Sequence, residues 1–215
     1  PLFVFLCLNA LLGIGQSKPT IESERKKEVF NLLTEAIANQ DSFKIAEAYY
    51  GMGKYELGFS NHISANAWYR KAMPIYKKLH KHFEYGRIYQ RMAENENARK
   101  DFKMAIVYAD SALGIFKKHG LAKGIISNYM FMIMLNYEHL KKSPEEVLQN
   151  FDQMLIFAKE NDLEIEYVFL YKIKGIILKD SDPKAAIKSF ELSKKFMKKY
   201  NFERLYDGLH ATMAE

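Results

Sequence analysis

One residue type recurs in this chain at a spacing that few folds can use. Tyr49, Tyr89 and Tyr129 lie 40 residues apart, and Tyr171 follows after 42. Three positions on from these stand Met52, Met92, Met132 and Lys174, followed by Gly53, Ala93, Ile133 and Gly175. A second register runs alongside: Ala65, Ala105, Val147 and Ala186, then Tyr69, Ala109, Phe151 and Phe190, then Ala72, Ala112, Met154 and Ser193. Self-similarity at such a period marks a repeat array, in which each unit buries its apolar face only against its neighbours.

Composition agrees. The chain has 215 residues, 48% hydrophobic and 27% charged, which places it among globular proteins. Eleven Gly and five Pro leave little room for long irregular loops. The 32 basic and 26 acidic residues give a net charge of +6, a mild excess rather than the basic stripe of a nucleic-acid binder. Cys7 is the single cysteine and lies in an apolar leader. With the leader removed, neither a disulfide scaffold nor a thiol nucleophile is possible.

Residues 1–15, PLFVFLCLNALLGIG, carry no charge and are too short to span a membrane. They match the core of a signal peptide, with Gly13-Ile14-Gly15 as the small-x-small cleavage pattern. The rival expectation is a buried N-terminal helix. After a polar spacer, residues 21–39 predict a helix with Val29, Phe30, Leu33, Ala36 and Ile37 on one face. Helices are then expected over 42–58, 62–82, 84–99, 101–119, 121–140, 144–160, 163–179, 183–200 and 203–215. The punctuation fits. Asp41 and Ser42 are N-cap residues, Ser143-Pro144-Glu145-Glu146 has the form of a capping box, and Ser181-Asp182-Pro183 repeats the device. Gly120 and Asn201 are stop signals. The chain is expected to be all-α.

The pairing Y-x-x-M-G at 49–53 with A-x-x-x-Y-x-x-A at 65–72 resembles the tetratricopeptide repeat, over four copies spanning residues 42–200. The later copies drift, since Ala93 and Ile133 replace the glycine and Val147 and Met154 replace small residues. A period of 40 points to a longer-helix version of the repeat. The resemblance implies an α-solenoid of antiparallel helix hairpins wound as a right-handed superhelix, residues 16–41 packing on it and 201–215 opening a fifth hairpin. Small residues at 65, 105 and 186 let paired helices approach, while Tyr69, Phe151 and Phe190 fill the wedge between hairpins. The repeated tyrosines are expected to turn their rings inward. Pro74 falls inside an expected helix, as a tolerated kink or as a re-aiming of the first repeat toward a partner.

Catalytic signals are missing from the sequence. The six histidines are dispersed, and His80 and His82, two apart, cannot act as an i, i+4 metal pair. Gly51-Met52-Gly53 lacks the strand-turn-helix setting of a dinucleotide site, and close packing explains Gly53 better. No cofactor, metal or catalytic residue is expected. The run from Lys184 to Lys199 holds six lysines against Glu191 alone. It reads as a solvated amphipathic face or as a patch for anionic lipid headgroups or an acidic partner.

The resemblance also implies an inner groove lined by the first helix of each repeat. Carried onto this sequence, the groove positions are Glu47, Tyr50 and Lys54, then Arg87, Gln90, Glu94 and Asn97, then Ser127, Met130 and Met134, then Phe169, Lys172 and Ile176. They grade from polar to apolar, a pattern that suits an extended or helical peptide. The expected function is a non-catalytic scaffold for a protein or peptide partner, with no nucleic acid and no small-molecule substrate. The leader followed by repeats resembles the exported sensory part of bacterial membrane-anchored histidine kinases or helix-turn-helix regulators. That reading places the chain facing the periplasm, with membrane association through a segment beyond Glu215. A cytosolic assembly factor is the alternative.

Overall fold

About every twenty residues the backbone steps into the left-handed region. Gln40, Ser60, His80, Lys100, Gly120, Lys141, Asp162 and Asn201 have φ between 53° and 65°. In this computed structural model, which describes residues 21–201, each of these steps follows the end of a helix. The local bonds show why the chain stops there. The Ser60 amide donates to the Leu57 carbonyl at 3.0 Å and the Asn61 amide reaches back to Glu56 at 2.9 Å. The same pair of bonds closes the helices before Asp41, Asp101, Leu121 and Leu163. Such a cap satisfies carbonyls that a helix end leaves unpaired, and it requires one left-handed residue.

Ten α-helices occupy the described residues: α1 (Ile21–Ala38), α2 (Ser42–Gly58), α3 (His62–Lys78), α4 (His82–Ala98), α5 (Phe102–Lys118), α6 (Ala122–Glu138), α7 (Pro144–Leu148), α8 (Phe151–Glu160), α9 (Tyr167–Leu178) and α10 (Pro183–Lys199). No strand occurs among them. Asp41, Asp101 and Asp182 cap the starts of α2, α5 and α10 by accepting a bond from the amide three residues on. Ser143 and Glu146 form the reciprocal capping box, with Pro144 opening α7. The expected leader at 1–15 and the expected fifth hairpin at 203–215 lie outside the described residues.

The chain divides into two units, Pro1–Leu79 and His80–Glu215. In the first, α1 packs on α2 and α2 pairs with α3. In the second, α4 pairs with α5 and α9 with α10, while α6 packs on α5 and meets α7 and α8 much less closely. Consecutive helices therefore pack pairwise as antiparallel hairpins.

Side-chain size at fixed register closes these hairpins. Ala65 and Ala72 of α3, Ala105 and Ala112 of α5, and Ala186 and Ser193 of α10 are all buried. Ser193 also donates to the Val168 carbonyl at 2.7 Å, tying α10 to α9. Gly53 lies against the Tyr69 ring, and a Cβ there would sit inside it. Gly175 faces Phe190 in the same way, with only 2.5 Å from a Cβ to the ring. Phe116 is held between Gly86 and Gly124.

Several expectations are corrected. The helix expected over 62–82 ends at Lys78, because the left-handed cap at His80 intervenes. The helix expected over 144–160 breaks at Gln149 and Asn150. The left-handed steps at Gly120, Lys141 and Asp162 are 21 residues apart rather than 20, and the broken helix lies in the second of these intervals. The helix expected from 163 opens as a 3-10 turn, Glu164–Glu166. Of the expected face on α1, Leu33 and Ala36 are buried, whereas Phe30 is 41% and Ile37 53% exposed. The four repeating tyrosines are half-buried, and those at 129 and 171 pack against the buried core around Ile133, Phe151 and Leu170. Each lies at a hairpin edge: Tyr49 stacks on Trp68, Tyr89 lies against Tyr108, Tyr171 stacks on Phe196, and Tyr129 lies under Lys117. The α3 helix continues through Pro74. Pro74 and Arg70, whose carbonyl loses its partner, are both exposed, so water can satisfy that carbonyl.

Candidate functional site

The groove positions fall in both units. Glu47, Tyr50 and Lys54 are on α2. Glu47 accepts a hydrogen bond from the Tyr76 hydroxyl of α3, and Tyr50 is buried against the Tyr69 ring. Both therefore help to hold their own hairpin together, and Lys54 is exposed.

In the second unit the first helices α4, α6 and α9 carry the other ten. Arg87 lies over the Phe83 ring, its guanidinium carbon 5.8 Å from the centroid. Glu94 pairs with Arg91 at 2.5 Å, and Asn97 is half-buried. The Gln90 side-chain amide donates to the Ser127 hydroxyl at 2.6 Å, which fixes the groove-facing positions of α4 beside those of α6. Met130 and Met134 are half-buried on α6, and Phe169 is 36% exposed on α9. Lys172 and Ile176 are half-buried. Ile133 of α6 and Leu170 and Ile177 of α9 share one apolar core with Phe151 and Met154, and Met130 packs against it. So α4, α6 and α9 bring their candidate positions onto adjacent helices, polar on α4 and mainly apolar on α6 and α9, where Ser127 and Lys172 are the polar members.

Charged groups around this face are set by packing. Buried Glu166 has its carboxyl pushed above the usual carboxylate range by loss of solvent, with Lys123 opposing. Glu164 is held below that range by the hydrogen bond from Lys199, at 2.8 Å. Burial, then the Asp152 charge, raises the Tyr171 hydroxyl.

Sequence reasoning missed two features. Three of the histidines converge at one end of the α4–α5 hairpin: His82 and His119 stack 3.5 Å apart with planes 9° from parallel, and His80 meets His82 at 5.9 Å. Loss of solvent, then the His82 and Lys118 charges, lowers the pKa of His119. No group of three or more His, Cys, Asp or Glu among the described residues could hold a metal ion.

The second is a cleft of about 820 Å³ between α5, α6 and α7–α8. Leu113, Ile125, Tyr129, Met132, Met154 and Phe157 form its apolar lining, with Asp110, Lys117, Lys142, Glu146 and Glu160 among its charged residues. The cleft belongs to the hairpin whose second helix carries Val147 and Met154 where the other repeats have Ala or Ser. Those bulkier side chains, with the 42-residue spacing from Tyr129 to Tyr171, were the sequence signal.

The fold and its register define an all-α helical-repeat protein, in which consecutive helices pack pairwise. No family model matches the chain, and no curated protein matches it. Among solved structures it is similar to the apo form of RapI, with a TM-score of 0.59 at 18% sequence identity. That likeness covers 90% of this chain and 58% of RapI, so the chain spans less than two thirds of that protein's length.

Proposed function

We propose that this chain is a non-catalytic interaction scaffold whose second unit holds a protein or peptide segment along α4, α6 and α9. The observation that carries the reading is the Gln90–Ser127 bond, which sets a polar helix face beside the apolar one of Met130, Met134 and Phe169. Methionine side chains adapt to varied apolar surfaces, and the polar half can orient a bound backbone.

The test is affinity capture compared across variants. Replacing Met130, Met134 and Phe169 together by Ser should remove the captured partner while circular dichroism stays helical. Undiminished capture by the triple variant would move the site off this face.

The finer setting belongs to the same proposal: an exported sensory region of a bacterial histidine kinase or helix-turn-helix regulator, built on the roughly 40-residue version of the repeat. Its support is the uncharged leader at 1–15 and the tyrosine spacing. No helix among the described residues is long and apolar enough to cross a membrane. Mass spectrometry of the mature N-terminus separates this setting from a cytosolic assembly factor, because an intact leader containing Cys7 on the mature protein would overturn export.

A further inference from the structure

Met52 and Met92 occupy the same register position in the first two repeats, and they are 0% and 2% exposed. Glu56 and Glu96, four residues on, are also buried. In the third repeat the corresponding residues are Met132 and Asn136, and both are half-buried and line the cleft. The α6 helix thus presents a stripe that α2 and α4 bury within their own hairpins. The helix that should cover it is broken, and Val147 and Met154 line the cleft opposite α6.

We propose that the cleft is a docking slot for an amphipathic helix of another protein, which completes the third hairpin from outside. This inference rests on the chain being an interaction protein but uses a different surface, since none of Met130, Met134 and Phe169 lines the cleft. The shape of the occupant follows from the repeat itself: what lies open is a helix-packing stripe, and in the sister hairpins a helix packs against it. From Ile125 to Asn136 the lining of α6 runs ~17 Å, about three turns of a facing helix. The occupant carries apolar residues at i, i+3 or i+4, and i+7 to meet Leu113, Tyr129, Met132 and Phe157. The rim holds Lys117, Lys142, Asp110, Glu146 and Glu160, nearly balanced in sign, so the occupant's flanks are polar without a strong net charge.

The probe is a labelled synthetic peptide copying Phe102–Lys118, which packs against α4 in its own hairpin. It is titrated against the full chain by fluorescence anisotropy, beside a scrambled peptide of the same composition. Saturable binding is expected from the copy and not from the scramble. Met132→Lys and Leu113→Glu should each weaken it by about tenfold or more, while Met134→Ser leaves it unchanged and all three variants keep their helical signal. Equal binding of the scramble, or full binding by both cleft variants, would overturn the proposal. So would no peptide binding, including the case where an anilinonaphthalene dye alone occupies the cleft, which would make it a small-molecule pocket. In any of these cases the Met130, Met134 and Phe169 test is unaffected.

Discussion

Gly53 and Gly114 are both helical glycines, yet the surroundings give them opposite roles. A Cβ at Gly53 would enter the Tyr69 ring, whereas at Gly114 nothing lies within 4 Å. Gly53→Ala should cost about 1–3 kcal/mol through overpacking. Gly114→Ala should add about 0.5–1 kcal/mol through helix propensity. Urea unfolding of the two variants checks both signs. Glu166 offers a pH test. Its folded pKa is raised by burial, so its contribution to stability is present below the usual value of 4.5 and is lost as pH rises through the folded value. Glu166→Gln should therefore be more stable than the parent at neutral pH, with the gain fading in acid. A difference that stays constant from acid to neutral pH would show that the charge of Glu166 is not what costs. Of these two sites, Gly53 was legible in the sequence because the repeat places a glycine opposite an aromatic. Glu166 was not, because its burial depends on where a 3-10 turn sets the start of α9.

At the scale of the element, the helix ends were the most readable feature. Asp41, the Ser143 capping box, Gly120 and Asn201 all behave as their residue types require. Six further ends rest on left-handed Gln40, Ser60, His80, Lys100, Lys141 and Asp162, while α7 and α9 end without one. His80 and Asp162 are of types enriched in that conformation, but Gln40, Ser60, Lys100 and Lys141 give no such warning. The histidine cluster was hidden for a related reason. His82 opens α4 and His119 caps α5, so the hairpin brings together two residues 37 apart in sequence. Pro74 was legible as a tolerated kink or as a re-aiming of the first repeat; α3 continues through it, and its exposure accounts for the continuity. Pro74→Ala restores the backbone bond to Arg70 and should raise stability by about 1–3 kcal/mol. A scan of thermal unfolding that shows no gain would mean that the Pro74 ring contributes packing of its own.

For the whole molecule, the claim is that one register, repeated in both units, decides how tightly each hairpin shuts. Small residues on the second helix close the pairs α2–α3, α4–α5 and α9–α10, and larger ones leave α6 open to α7 and α8. The sequence carried this information in Val147 and Met154. Its consequence, a cleft rather than a merely drifted repeat, emerges only when the 21-residue spacing and the broken helix act together. The candidate groove was placed by family resemblance. Packing then committed Glu47 and Tyr50 to their own hairpin and left the apolar half on α6 and α9.

Amide hydrogen exchange followed by mass spectrometry tests this most directly, because local opening tracks how completely each helix is packed. The account predicts slow exchange across α5 and α10 and markedly faster exchange across α7 and α8. Equal protection of α7–α8 and α5 would contradict it.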